Sequence, residues 1–366
     1  MMKNKPAPCR ARDIGVAPGI FQPGRWNAIT DVAGVLVGHV TRNEGSHTRT
    51  GVTAVRPHDG NLYQDRVPTG LSIANGHGKL AGVSQIVELG ELETPIVLTN
   101  TLAVGRAMEA VIDWTLNHSG NESVITVNAV VGETNDAKLN DIRRRGIERE
   151  HVLEAITSAK SGPVDEGCVG AGTGTICFGW KGGIGTSSRL LPQNHGGYTV
   201  GVLVQSNYGG ALQIDGCHIG KPLGQYYLAE PRNTPAGGSI MIVIATDAPL
   251  SDRNLTRLAK RSSAGLARTG SAFTNDSGDY AIAFSTHPDV RRTAERRANA
   301  STILELPNER ISPLFVAVAE ATEEAIYNSL MQATDTSSVH RLTGKSVTFQ
   351  ALKAAVVASL IHAKDE

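Results

Sequence analysis

The chain has 366 residues, of which 40% are hydrophobic, and its 35 Lys+Arg balance its 35 Asp+Glu for a formal net charge of zero. Such a balance, without long runs of one sign, argues against a nucleic-acid or membrane surface as partner, and no segment approaches the roughly 18 apolar residues of a membrane span. The length admits one large layered domain or two ordinary ones.

Met1 to Arg12 contains basic residues with no apolar stretch behind them, which is not the pattern of a secretory leader, so a cytoplasmic chain is expected. Short apolar, β-branched runs then alternate with glycine-rich turns. Val35 to Val40, Pro95 to Leu98, Val124 to Val131, Gly174 to Trp180 and Tyr198 to Val204 read as strands. Asn100-Thr101 can cap a helix reaching about His118, with Val104, Met108 and Val111 at helical spacing. A more polar helix is expected over 136 to 159, with Arg143-Arg144-Arg145 on a solvated face. The composition then changes, because of the 40 glycines only Gly265, Gly270, Gly278 and Gly344 lie beyond Ser239. Ile240 to Ala245 has the length of a buried strand, Ser251 or Asp252 caps an amphipathic helix bearing Leu255, Leu258 and Leu266, and Tyr280 to Ser285 is the next strand. Ser312-Pro313 opens a helix whose buried stripe includes Phe315, Ala319 and Ile326, and a last helix spans about Phe349 to Ala363. The order of elements predicts an α/β fold, an αββα layered sandwich with sheets inside and helices outside.

Several motifs carry less than they first suggest. Gly170-Ala171-Gly172-Thr173-Gly174 does not follow a strand and open a helix as a dinucleotide-binding loop must, so no cofactor is expected. Asp276-Ser277-Gly278 matches the tripeptide of aspartic peptidases but has no second copy. Cys9, Cys168, Cys177 and Cys217 show no zinc-ligand spacing, and the 11 histidines include no HExxH, so no metal is expected.

Gly237-Gly238-Ser239 is different because of its context. Ser239 stands where a loop containing Pro231, Thr234 and Pro235 enters an apolar strand. A glycine before a nucleophile leaves its carbonyl unshielded by a Cβ and permits strained backbone. A freed N-terminal serine supplies a hydroxyl and, in its own α-amine, a base titrating at about 7.7 to 8.0. Self-cleavage at Gly238-Ser239 must then precede turnover.

With these residues the chain resembles the DmpA-type aminopeptidases and β-peptidyl aminopeptidases over nearly its whole length. The resemblance rests on Arg10-Ala11-Arg12-Asp13, Ile29 to Val35, Val131 to Asp136, Gly170 to Gly185, Gln205 to Gly209, Gly237 to Ser239 and Ser277 to Asp279. It implies a sandwich like that of the N-terminal-nucleophile hydrolases but with different topology, forming one domain cut into fragments 1 to 238 and 239 to 366. These would stay associated and form a homo-oligomer of αβ units, a tetramer being favoured. It further implies Ser239 as nucleophile and Asn207 as oxyanion donor. Ser277 and Asp279 would support the Ser239 amine and hydroxyl, and Glu133 would bind the ammonium of a short peptide or amide. Asp279 stands where some relatives carry Glu, and Asn135 stands near where some place a Tyr, so no oxyanion role is carried over to it. The alternatives are an acyl transferase like the ornithine acetyltransferases, which normally present Thr after Ala, and an uncut, inactive binding protein.

Overall fold

The computed structural model describes residues 8–229 and 238–363, so the loop with Pro231, Thr234, Pro235 and Gly237 lies outside the described residues. Two sheets face each other and helices cover both outer faces, giving the expected αββα sandwich. The first sheet runs Leu36–Glu44, Thr48–Arg56, Ile96–Asn100, Val130–Thr134 and Leu80–Ala81, and it is covered by helices Val104–Leu116 and Arg149–Thr157. The second runs Gly183–Leu190, Thr199–Asn207, Gly238–Thr246, Ser277–Ser285, Asp65–Gly76 and Arg292–Thr293, under helices Asp252–Arg268 and Ser312–Met331.

The apolar run after Ser239 is continuous because its strand is buried on both faces. Ile240, Ile242 and Ile244 pack toward the helices, whereas Met241, Val243 and Ala245 join the core between the sheets. This strand is parallel to Ser277–Ser285, and the Asp252–Arg268 helix is the crossover between them. Its other neighbour, Thr199–Asn207, is antiparallel. The central sheet therefore interleaves strands from both sides of Gly238-Ser239.

A buried ionic knot also joins those two sides. Arg189, with no side-chain exposure, pairs with Glu320 at 3.1 Å and Glu324 at 2.9 Å on the Ser312–Met331 helix. Arg12 reaches Glu324 at 2.9 Å, and Arg10 pairs with Glu166 at 2.8 Å, which accounts for the Arg10-Ala11-Arg12-Asp13 motif as a structural clip.

Several expected boundaries move. The helix expected over 136 to 159 is only Arg149–Thr157. Asp136 and Asn140 are hydrogen-bonded in a turn, and Arg145 takes a left-handed φ of 52° after the short turn Ile142–Arg144. Arg143, Arg144 and Arg145 are exposed, as expected, but not on that helix. The expected Gly174 to Trp180 strand is a tight hairpin of Ile176–Cys177 and Trp180–Lys181, turned by Phe178 and Gly179 at φ 53° and 84°. The strand expected from Val124 begins only at Val130. The last helix is Ala354–His362, because Ser346–Phe349 pairs with Thr336–Val339 instead. Phe315 is only half-buried, whereas Ala319 and Ile326 are buried as expected.

Candidate active site

Ser239 is the second residue of its strand, paired with Asn207 on one side and Gly278 on the other. Alternation along the strand turns its side chain to the face of Met241 and Val243, where the space between the sheets opens into a cleft of about 480 Å³. The Ser239 hydroxyl donates to the Gly238 carbonyl oxygen at 2.7 Å. Close approach dictates glycine on both flanks. A Cβ on Gly238 would lie 2.1 Å from the Asn207 carbonyl oxygen, and one on Gly278 would lie 2.1 Å from that of His77.

Asn207 ends the neighbouring strand with its amide fixed in direction. Its Oδ1 accepts from the Ile176 N–H at 2.9 Å, which leaves Nδ2 as donor, directed to the Asn135 carbonyl at 3.2 Å. Beside it, Gln205 Nε2 donates to Thr134 Oγ1 and the Ala171 carbonyl, both at 2.9 Å, tying the two sheets and the Gly170 turn together.

Ser277 and Asp279 lie beside the backbone of Ser239, across from Gly238 and Ile240. They share strand parity with Ala281 and Ala283, whose side chains face the helices, so they approach from the opposite face of the sheet to the Ser239 hydroxyl. Ser277 Oγ donates to Asp279 Oδ1 at 2.6 Å, while Asp279 Oδ2 is buried without a hydrogen-bond partner. Burial pushes the Asp279 carboxyl up to about 6, against the opposing effect of the Ser277 hydrogen bond. Among the described residues, no contact joins this pair to the Ser239 hydroxyl.

Glu133, near the end of its strand, lines the same cleft and is 3% exposed. Its Oε1 accepts from the Lys79 N–H at 3.1 Å and pairs with Lys79 Nζ at 3.3 Å. The Glu133 charge is therefore already paired within the chain, by Lys79. Three residues on, burial pushes the Asp136 carboxyl up to about 7, opposed by hydrogen bonds from Thr50 and Asn140.

The cleft is completed by residues that motif reading missed: Lys79, Lys138, and His340 and Phe349 from the C-terminal hairpin. None sits in a recognisable pattern, and the hairpin arrives from a distant part of the chain. Cys177 and Cys217 are buried and Cys9 and Cys168 half-buried, all as free thiols. Among the described residues, no cluster of metal-ligating side chains occurs and no helix is long and apolar enough to cross a membrane.

An αββα sandwich with a serine near the start of a strand, lining the cleft between its sheets, is the architecture of N-terminal-nucleophile-type hydrolases. The chain belongs to peptidase family S58, whose model matches residues 27–343. It is 42% identical over 356 residues, 91% of this chain and 88% of the relative, to the β-peptidyl aminopeptidase BapA of Sphingosinicella microcystinivorans. A β-aminopeptidase structure from Burkholderia sp. superposes with a TM-score of 0.87 at 40% identity, covering 97% of this chain and 99% of that one. The L-aminopeptidase D-Ala-esterase/amidase of Ochrobactrum anthropi, described as a prototype of the serine aminopeptidases and a new variant of the Ntn hydrolase fold, superposes with a TM-score of 0.87 at 34% identity over the same shares. The protein is thus a hydrolase of the serine aminopeptidase type, and family membership favours hydrolysis over acetyl transfer or inert binding.

Proposed function

We propose that the chain cuts itself between Gly238 and Ser239 and then removes N-terminal residues from short peptides, amides or esters, β-amino acids included, with Ser239 as nucleophile. The observation that carries this reading is the position of Ser239 between Asn207 and Gly278, in one cleft with Glu133. In maturation, the Ser239 hydroxyl attacks the adjacent Gly238 carbonyl carbon, the peptide bond gives way to an ester, and water releases the Gly238 carboxylate. The freed α-amine then serves as base, which the same nitrogen in a peptide bond cannot do.

In turnover, Ser239 Oγ attacks the substrate carbonyl while its own amine takes the hydroxyl proton. The Asn207 Nδ2 donor, aimed by Ile176, stabilises the developing oxyanion, an effect worth roughly 3 kcal/mol in a dry site. Collapse transfers the proton to the leaving amine, and water hydrolyses the acyl ester. Asp279 Oδ2, which lacks a partner, accepts from the Ser239 ammonium and raises its pKa. Glu133 pairs with the substrate ammonium and so selects free amino termini.

The inclusion of β-residues is supported by the names of the BapA and Burkholderia relatives. The interleaved strands and the Arg12, Arg189, Glu320 and Glu324 knot support one domain whose two fragments stay together after cleavage. A cytoplasmic homo-oligomer of αβ units, tetrameric by preference, completes the proposal. Comparing kcat/KM for α- and β-aminoacyl p-nitroanilides with their N-acetyl analogues tests it. Free amines should be strongly preferred, and equal rates on blocked and free substrates would overturn the aminopeptidase reading.

A further inference from the structure

A buried carboxylate on the wall of a binding cleft is costly without a counter-charge. Glu133 is 3% exposed, and among the described residues the cation that pairs with it is Lys79, at 3.3 Å. The Lys79 side chain is 52% exposed, so its ammonium can swing into water while its stem stays on the surface. The Lys79 N–H holds the same Oε1 at 3.1 Å and keeps that contact when the side chain leaves. Gly78, at φ 134°, brings this backbone against the carboxylate, since a Cβ there would lie 3.0 Å from Oε1. Lys79, Glu133 and Ser239 all line one cleft.

We infer that Lys79 is the resident occupant of the amine subsite, a built-in ammonium that a substrate's free amino terminus must displace from Glu133. This rests on the reading of Glu133 as the ammonium site and adds a residue that sets specificity there. The exchange swaps one ammonium for another, so the buried carboxylate stays paired throughout. A blocked amino terminus brings no charge, cannot displace Lys79, and meets a cleft already occupied by the lysine side chain. Lys79 therefore weakens binding of all substrates slightly and blocked ones most.

The test is steady-state kinetics on a β-aminoacyl p-nitroanilide with Lys79→Met, Lys79→Arg, Glu133→Gln and the double variant Lys79→Met/Glu133→Gln. A half-exposed ion pair corresponds to about a two- to fivefold effect, so Lys79→Met should lower KM by that factor with kcat retained. Lys79→Arg keeps the competing charge and should keep the wild-type KM, and Lys79→Met should have no effect on KM in the Glu133→Gln background. An unchanged or raised KM in Lys79→Met, with Glu133→Gln still impaired, overturns the displacement role alone. A wild-type KM in Glu133→Gln overturns the ammonium-site reading itself, and the inference with it.

Discussion

Replacing Asp279 by Asn in a precursor held uncut by Ser239→Ala isolates the carboxylate before any free amine exists to pair with it. Asp279 is 3% exposed, Oδ1 accepts from Ser277 at 2.6 Å, and Oδ2 has no partner. Burial lifts its pKa from 3.8 to about 6. The folded precursor therefore binds more protons than the unfolded chain between about pH 4 and 6, and its stability falls as pH rises through that window and levels off above it. The shift corresponds to about 3 kcal/mol at about 1.4 kcal/mol per pKa unit, and screening by nearby water brings the expected effect to roughly 1 to 3 kcal/mol. Denaturant unfolding of Ser239→Ala and Ser239→Ala/Asp279→Asn across pH 4 to 8 reads the difference directly. Asp136 and Glu166, each pushed up by burial to about 7, titrate in both proteins and cancel. The Asn variant should gain relative stability as pH rises from 4 to 7. A pH-independent difference, or one growing in the opposite direction, would refute the account of an unpartnered carboxylate awaiting the amine. With Ser239 intact, Asp279→Asn should slow both maturation and turnover.

Glu133→Gln keeps the side-chain shape but loses a charge-assisted contact of roughly 1.5 to 3 kcal/mol, so kcat/KM for free-amine substrates should fall about tenfold or more while self-cleavage proceeds normally. Asn207→Ala removes the oxyanion donor and should lower kcat by about 10² to 10³, with KM for a free-amine amide little changed. Gly278→Ala introduces a Cβ 2.1 Å from the His77 carbonyl, and overpacking of that kind should destabilise the protein by about 1 to 3 kcal/mol in denaturant unfolding and slow maturation through the shift of the neighbouring Ser239 strand.

The layered architecture was legible where burial dictates sequence. Ile240 to Ala245 and Tyr280 to Phe284, sandwiched between helices and the facing sheet, read as unbroken apolar runs. Two long strands left no such signal. Thr48–Arg56 mixes Thr, Arg and Gly with its valines, and Asp65–Gly76 contains Pro68, which normally argues against a central strand. The proline is tolerated because the pairing partner changes there: Val67 and Pro68 meet Leu92 and Glu91, and the run from Thr69 then pairs with the Ser277–Ser285 strand. The residues around Ser239 were found through local motifs and family resemblance, since Asn207, Glu133 and Asp279 each resemble ordinary turn or strand-end residues on their own. Lys79 and the hairpin residues His340 and Phe349 were invisible because their place in the cleft depends on long-range packing. Nor does sequence proximity reveal which face of a strand Ser277 and Asp279 take until the register with the Ser239 strand is known.

Intact-mass spectrometry of the purified wild type beside Ser239→Ala tests the central claim most directly. The wild type should give two polypeptides, residues 1 to 238 and 239 to 366, co-eluting in size-exclusion chromatography, and Ser239→Ala a single uncut, inactive chain. A Ser239→Ala protein still cut at the same bond, or an active wild type that remains one polypeptide, would contradict it.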